Sequence, residues 1–290
     1  MRRTRAVVVF LLATLLYAPA FANTLRRGEA VVAQAVAPAP AAQELSVAQI
    51  KDFLHNAKVI RSKQTSKGVT APKRVTLSDG TLTHDAVFQA IDDRQMVMKL
   101  GGGGRQETTE LNFVDSYKYN IAAYEIAALL GIDHMMPVYV ERRWNGQTGS
   151  ISWFVPTLMD ESERLKKKIE PPSATMWNQQ MYRMRAFSSL VRDTDRNLTN
   201  VLVTPEWKVM MIDFTRAFRL QPELQHLKDL QKIDRDLLAK LTTLDRDQVR
   251  KVTVDYLTSK ELDAMMQRRD MLVAHFKKLI ADLGEDKVLY

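Results

Sequence analysis

Residues 192–219 read RDTDRNLTNVLVTPEWKVMMIDFTRAFR, and the organisation of the whole chain follows from how this stretch folds. Leu198, Val201, Leu202 and Val203 make one short apolar run, Thr204-Pro205-Glu206 supplies a polar turn, and Val209 to Ile212 make a second run ending at Asp213. Two short β-leaning runs joined by a proline-containing turn predict a hairpin. Such a hairpin sets Asn200, at the start of the first strand, beside Asp213, at the end of the second, with Asp195 in the loop just before them. A carboxylate, an amide and a further carboxylate then meet at one mouth. Singly, Asp193, Asp195 and Asn197 are the residue types of ordinary turns and caps. Only the constellation points to chemistry.

The chemistry it suits is phosphoryl transfer, which needs a metal ion held against nucleotide phosphates and a carboxylate to orient the attacking hydroxyl. Mg²⁺ prefers oxygen ligands and keeps several waters, so an Asp and an Asn carbonyl suffice on the protein side. In kinase-type sites the base and the metal-binding Asn lie five residues apart on one loop, and the second metal carboxylate opens the segment after the next hairpin. Asp195 and Asn200 are five residues apart, and Asp213 opens Asp213-Phe214-Thr215.

Composition narrows the rest. The chain has 290 residues, 46% of them hydrophobic, enough to bury a proper core in one large or two modest domains. Net charge is +8, and setting aside Arg2, Arg3 and Arg5 leaves 39 basic against 34 acidic residues, a net +5. With no long basic block and no aromatic ladder among the cations, nucleic acid is not an expected partner. The absence of cysteine excludes disulfides, cysteine-based zinc sites and thiol catalysis. The five histidines show no paired metal-binding spacing.

At the amino terminus, three arginines precede the apolar run Ala6 to Leu16, and Ala20-Phe21-Ala22 has the small-x-small pattern of a cleavage site. This predicts a signal peptide over residues 1–22, cleaved after Ala22, with an uncleaved anchor as the alternative; the apolar core is shorter than the roughly 20 residues that span a bilayer. The chain is therefore expected to be exported, periplasmic or secreted, with no transmembrane segment after cleavage. Residues 23–44, rich in Ala and Pro, read as an extended linker.

Folded structure is expected over residues 45–290. Ser46 caps a helix through about Asn56, and Arg74–Leu77 and Thr81–Ile91 flank the turn Ser78-Asp79-Gly80 as a hairpin. Met96–Leu100 reads as a strand running into Gly101–Gly104, whose spacing matches no fixed phosphate cradle and suits a loop. A helix is expected from Asp115 or Ser116 to Leu130, closed by Gly131. Met136–Arg142 and Gly149–Val155 are strands about the Asn145-Gly146 turn. From Asp160 the chain turns helical, with Met176–Val191, Glu223–Gln231, Asp234–Leu244, Arg246–Tyr256 and Ser259–Leu283 as helices. A β-rich N-lobe with one packed helix, about 45–158, and a mainly helical C-lobe, about 159–290, make an α+β two-lobed plan with the site at the junction.

These residues resemble a family. Asp195-Arg196-Asn197-Leu198-Thr199-Asn200 followed by Ile212-Asp213-Phe214 is similar to the catalytic and metal loops of the phosphatidylinositol-kinase-related branch of the protein-kinase-like fold, which includes secretory-pathway kinases of the Golgi casein kinase type and, more distantly, HipA-like kinases. Asn120-Ile121-Ala122-Ala123-Tyr124 through Gly131 resembles their first-lobe helix. The resemblance implies Asp195 as the catalytic carboxylate, Asn200 and Asp213 as ligands of Mg²⁺ or Mn²⁺, and ATP as the nucleotide, with Phe154 and Val155 at a hinge meeting adenine. It breaks where such kinases pair a strand lysine with a helix glutamate. Gln89 stands at the lysine position and Asn120 at the glutamate position. Lys99 or Lys118 is left to supply the cation and Glu125 the acid, or Gln89 and Asn120 pair with each other. Three readings stay open: a kinase-like phosphotransferase acting on a protein, glycan or lipid hydroxyl, a pseudokinase binding module, and a nucleotidyl transferase. The sequence carries no acceptor-binding motif.

Overall fold

The computed structural model describes residues 45–64, 72–100 and 108–290. The expected signal peptide and linker and the Gly101–Gly104 run lie outside the described residues.

Helix α1 (Val47–Asn56) starts at a capping box in which Ser46 and Gln49 satisfy each other's backbone amides. It buries Phe53 and Leu54. Arg142 closes its far end by donating to the carbonyls of Leu54 at 2.8 Å and Ala57 at 2.7 Å. Five antiparallel strands follow in the order β1 (Lys58–Gln64), β2 (Lys73–Ser78), β3 (Thr83–Gln89), β7 (Gln147–Trp153), β6 (Tyr139–Trp144). Val75, Leu77, Ala86, Phe88 and Ile151 turn their side chains to the core. Between β3 and β6, strands β4 (Asp92–Leu100) and β5 (Thr108–Ser116) pair as a separate two-stranded ribbon.

Helix α2 (Lys118–Leu130) is buried on nearly every side, from Tyr119 to Leu130, and lies between β6 and β7 on one flank and C-lobe helices on the other. Its alanines at 122, 123 and 127 have no exposure and let backbones approach on both sides. Gly131 takes φ +70° at its C-cap, the left-handed conformation glycine adopts without strain. The helix does not begin at Asp115, as its sequence suggests. Asp115 and Ser116 finish strand β5, and the main-chain amide of Ser116 donates to Thr215 at 2.9 Å, so a tertiary contact extends the strand past its local helix signal.

The C-lobe comprises β8 (Met159–Asp160), α3 (Glu161–Lys166), α4 (Ala174–Leu190), the predicted hairpin β9 (Val201–Val203) and β10 (Val209–Met211), then α5 (Arg235–Thr243), α6 (Arg246–Thr253), α7 (Ser259–Leu283) and α8 (Glu285–Val288). The helix expected over Glu223–Gln231 does not form. Its carbonyls are claimed by side chains from elsewhere: Arg192 donates to Glu223, Ser189 to Gln225, and the buried Arg268 of α7 to nearby Gln221. His226 sits at φ +49°, and one 3-10 turn at Leu227–Asp229 remains. A single buried cluster runs from Phe53 to Val288 through both lobes. Among the described residues no helix is long and apolar enough to cross a membrane.

Candidate active site

The loop between α4 and β9 divides its polar residues into scaffold and site. Asp193 is buried, and its carboxylate accepts from Arg196 Nε at 2.7 Å and from the Asp195 amide at 3.0 Å. Arg196 also donates to the carbonyls of Asn200 at 2.9 Å and Ile212 at 2.7 Å, and its guanidinium lies 4.2 Å from the centre of the Phe214 ring. It therefore clamps the residue chains on both sides of the mouth. A rigid fork that bonds a carboxylate and two carbonyls at once is a job for arginine, which lysine's single ammonium cannot reproduce. Asn197 caps the following turn through the Thr199 amide, and its Nδ2 donates to Asp195 Oδ1 at 3.2 Å. Asp193 and Asn197 thus build the turn, while Asp195, Asn200 and Asp213 line one cleft of about 720 Å³.

Asn200 donates its Nδ2 to the Asp195 carbonyl at 3.1 Å, which orients the amide and leaves Oδ1 as the atom that would meet a metal. Asp213 sits at φ +58°, a conformation Asp and Asn tolerate better than other residues with a side chain. Its main chain is held on both sides. The Ile212 amide donates to Asn200 at 3.1 Å, and the Phe214 amide donates to Asn120 Oδ1 at 2.7 Å. Burial pushes the Asp213 carboxyl above the usual carboxylate range; a hydrogen bond from Thr215 Oγ1 at 3.0 Å and the charge of Arg196 work against this, and the carboxylates of Asp115 and Asp195 reinforce it.

Asp115 is the residue that sequence reasoning missed. Its Oδ1 is buried without a hydrogen-bond partner, and burial, with the nearby Asp195 charge, raises its carboxyl as well. Asp93 and Asp160 also line the cleft, so five aspartates face Arg216 among the described lining residues. No group of three or more Asp, Glu or His side chains among the described residues makes a complete metal cage. Asn200 Oδ1 and Asp213 are the groups that would hold Mg²⁺ or Mn²⁺, an ion that takes oxygen ligands and keeps several waters. When bound, the ion would neutralise phosphate charge against this acidic wall.

Behind the Asp213 loop the N-lobe contributes a neutral pair. Asn120 Nδ2 donates to Gln89 Oε1 at 2.9 Å, and its Oδ1 takes the Phe214 amide, so one buried amide ties β3, α2 and the Asp213 loop together. Gly149 makes room for this: a Cβ there would lie 2.3 Å from the Gln89 carbonyl. Glu125 points away from the cleft and pairs with Lys51 at 2.6 Å, and Lys118 faces Asp92 at 3.8 Å. The backbone of Lys99 pairs with Thr109, but its side chain lies outside the described residues.

A narrower slot of about 190 Å³ adjoins the cleft, sharing Pro72, Leu202, Ile212 and Asp213 with it, and is walled by Val87, Tyr139, Phe154, Val155 and Met210. The Phe154 amide donates to Asp85 at 3.0 Å and its carbonyl bonds His84 Nε2 at 2.9 Å, so the main-chain groups left to a ligand belong to Val155. His84 also stacks on Trp153 at 3.5 Å, and burial lowers its pKa.

A five-stranded lobe with one buried helix, a helical lobe below it, and a cleft carrying Asp195, Asn200 and Asp213 define the chain as having a protein-kinase-like fold. Comparison with solved structures says the same. The chain is similar to hydra Fam20 solved with a sugar (TM-score 0.62, 15% identity, 84% of this chain and 92% of that one) and to the Golgi casein kinase (TM-score 0.58, 13% identity, 84% and 78%). It is also similar to the Helicobacter pylori proinflammatory kinase CtkA (TM-score 0.50, 11% identity, 79% and 98%). No protein-family model matches the sequence, and no curated protein sequence does.

Proposed function

We propose that the chain is an exported phosphotransferase that uses ATP with Mg²⁺ or Mn²⁺ to phosphorylate a hydroxyl of a protein, glycan or lipid. One observation carries this reading: Asp195, Asn200 and Asp213 converge on the acidic end of a cleft whose other end is an apolar slot sized for a planar base. In that arrangement the base lies between Val87 and Met210 with Val155 at its edge. Asn200 and Asp213 hold the metal that accompanies the phosphates, and Asp195 orients the acceptor hydroxyl and takes its proton. Export is supported by the signal-like residues 1–22 and by the likeness to a Golgi kinase. The hydroxyl acceptor is in keeping with neighbours described as a casein kinase and as a protein holding a sugar.

A second reading, a pseudokinase that binds nucleotide without turnover, has its own observation in the neutral Gln89–Asn120 pair. Thermal melting of the protein with ATP, with and without Mg²⁺ or Mn²⁺, first tests the nucleotide site that both readings share. A metal-dependent rise in melting temperature supports a nucleotide site, and no shift under any divalent ion sinks it. Intact-mass analysis of a reacted acceptor then distinguishes added phosphate from added nucleotide, and no mass change in the presence of bound Mg-ATP favours the pseudokinase.

A further inference from the structure

A second cavity, about 410 Å³, opens on the other side of the catalytic loop. Asp195 and Asn197 line both it and the acidic cleft, so the two meet at the residue assigned as base. One face of α4 forms the floor, where Met181, Met184, Arg185 and Ser188 follow at helical spacing, and the 221–231 segment forms the far wall with Leu230. Met181, Met184 and Leu230 are buried and apolar.

Two side chains in this lining, Ser188 and Arg185, make no side-chain hydrogen bond or ion pair among the described residues. Ser188 is only 8% exposed, and its buried Oγ has no hydrogen-bond partner. A buried hydroxyl left unsatisfied costs on the order of 1–3 kcal/mol, and a bound molecule that bonds it recovers that cost. Arg185 is exposed and makes no ion pair; its guanidinium lies 5.7 Å from the centre of the Tyr182 ring. The acid buried in the same wall, Asp193, is already paired with Arg196, while His226 and Asp229 stand exposed at the mouth.

We propose that this cavity is the acceptor site and that the acceptor is a small hydroxy compound carrying an anionic group, a carboxylate or a phosphate monoester. Arg185 binds the anion, Ser188 bonds a polar atom of the ligand, and the methionine floor covers its carbon skeleton. The assignment rests on the phosphotransfer reading of Asp195. An acceptor must reach the base and the terminal phosphoryl group together, and a cavity that meets the nucleotide cleft at Asp195 meets that condition. In the step, the acceptor oxygen bonds to the γ-phosphorus of ATP, and the bond from that phosphorus to the β–γ bridging oxygen breaks. The hydroxyl proton passes to the Asp195 carboxylate and on to solvent. The products are the phosphate ester, ADP and one proton.

The test offers glycerate, glycerol 3-phosphate and uncharged glycerol to the protein, reading ADP release with Mg-ATP and, separately, ligand binding without nucleotide by saturation-transfer NMR. The two anions bind and react at least about 10-fold better than glycerol, and whichever is preferred tells a carboxylate site from a phosphate site. Arg185→Ala weakens the anions about 10- to 100-fold, the loss expected of a charge-assisted hydrogen bond, and leaves glycerol within about 2-fold. Ser188→Ala, which removes a hydroxyl that holds nothing else, weakens all three probes while Mg-ATP affinity stays unchanged. Equal use of glycerol and the anions, or unchanged anion binding in Arg185→Ala, overturns the proposal. Arg185-dependent anion binding with no ADP release from any probe overturns the phosphotransfer reading instead, and with it the acceptor role, while leaving an anion site.

Discussion

Asn120 and Asn200 are both buried asparagines that hold the Asp213 segment, one from the N-lobe and one from the C-lobe, and they use their amides differently. Asn120 spends both ends on protein, donating to Gln89 and accepting from Phe214. Asn200 donates to the loop that carries Asp195 and leaves its oxygen facing the cleft. Asn120 thus belongs to a closed, neutral brace behind the Asp213 loop, while the cleft wall that carries Asn200, the lower wall, is open and acidic, and Asp93 and Asp115 of the N-lobe add to its acid. In kinases that pair a strand lysine with a helix glutamate, the protein itself brings a cation to the phosphates. Here the described lining is dominated by aspartates, so a polyphosphate enters against repulsion unless metal ions come with it. On the proposed reading, this acidic lining makes nucleotide binding depend on the metal.

The largest effect should come from Asp213. Asp213→Asn, which keeps the tolerance for φ +58°, is expected to weaken Mg-ATP binding at least about 100-fold by calorimetry. The same variant should melt a few degrees higher without metal. The folded-state pKa of Asp213 is raised, so its ionised form costs stability at neutral pH, and the amide removes that cost. Asp195→Ala comes next: turnover should fall about 10²- to 10⁴-fold while Mg-ATP affinity stays within about 3-fold, measured by single-turnover kinetics and calorimetry. If both fall together, Asp195 is holding the loop rather than taking a proton.

At the neutral brace, Asn120→Ala removes three buried hydrogen bonds, the one to Ser150 long at 3.4 Å, and should lower stability by about 2–3 kcal/mol in chemical denaturation. The double change Gln89→Lys with Asn120→Glu sharpens the comparison, because it should restore part of the ATP affinity that metal removal takes away. The smallest effect belongs to the hinge. His84 has a folded pKa below its ordinary value, so folding stability falls as pH drops from about 6.5 through that lowered value. Melting temperatures between about pH 7.5 and pH 5 should show this, and His84→Gln should lessen the loss.

The lower wall was legible in sequence because its geometry is local. A hairpin of two three-residue strands fixes Asn200 against Asp213 whatever the remainder of the chain does. The pairing of Gln89 with Asn120 was legible as one of two arrangements, and Glu125 is settled by Lys51 of α1, a contact no spacing rule anticipates. Asp115 was hidden because a residue in front of an apolar, alanine-rich helix reads as its cap, whereas the Ser116–Thr215 bond makes it the end of a strand. Arg196 was passed over between Asp195 and Asn197, although three of its bonds set the mouth. The missing helix at Glu223–Gln231 has the same cause: carbonyls that would close helical turns are bound by side chains distant in sequence.

The most direct test of a cleft that admits nucleotide only with its metal is calorimetric titration of ATP into the protein, once with Mg²⁺ and once with EDTA. The acidic lower wall predicts saturable binding with Mg²⁺ and no measurable binding with EDTA. Equal affinity in both titrations would contradict it, and would mean that a cation of the chain itself holds the phosphates.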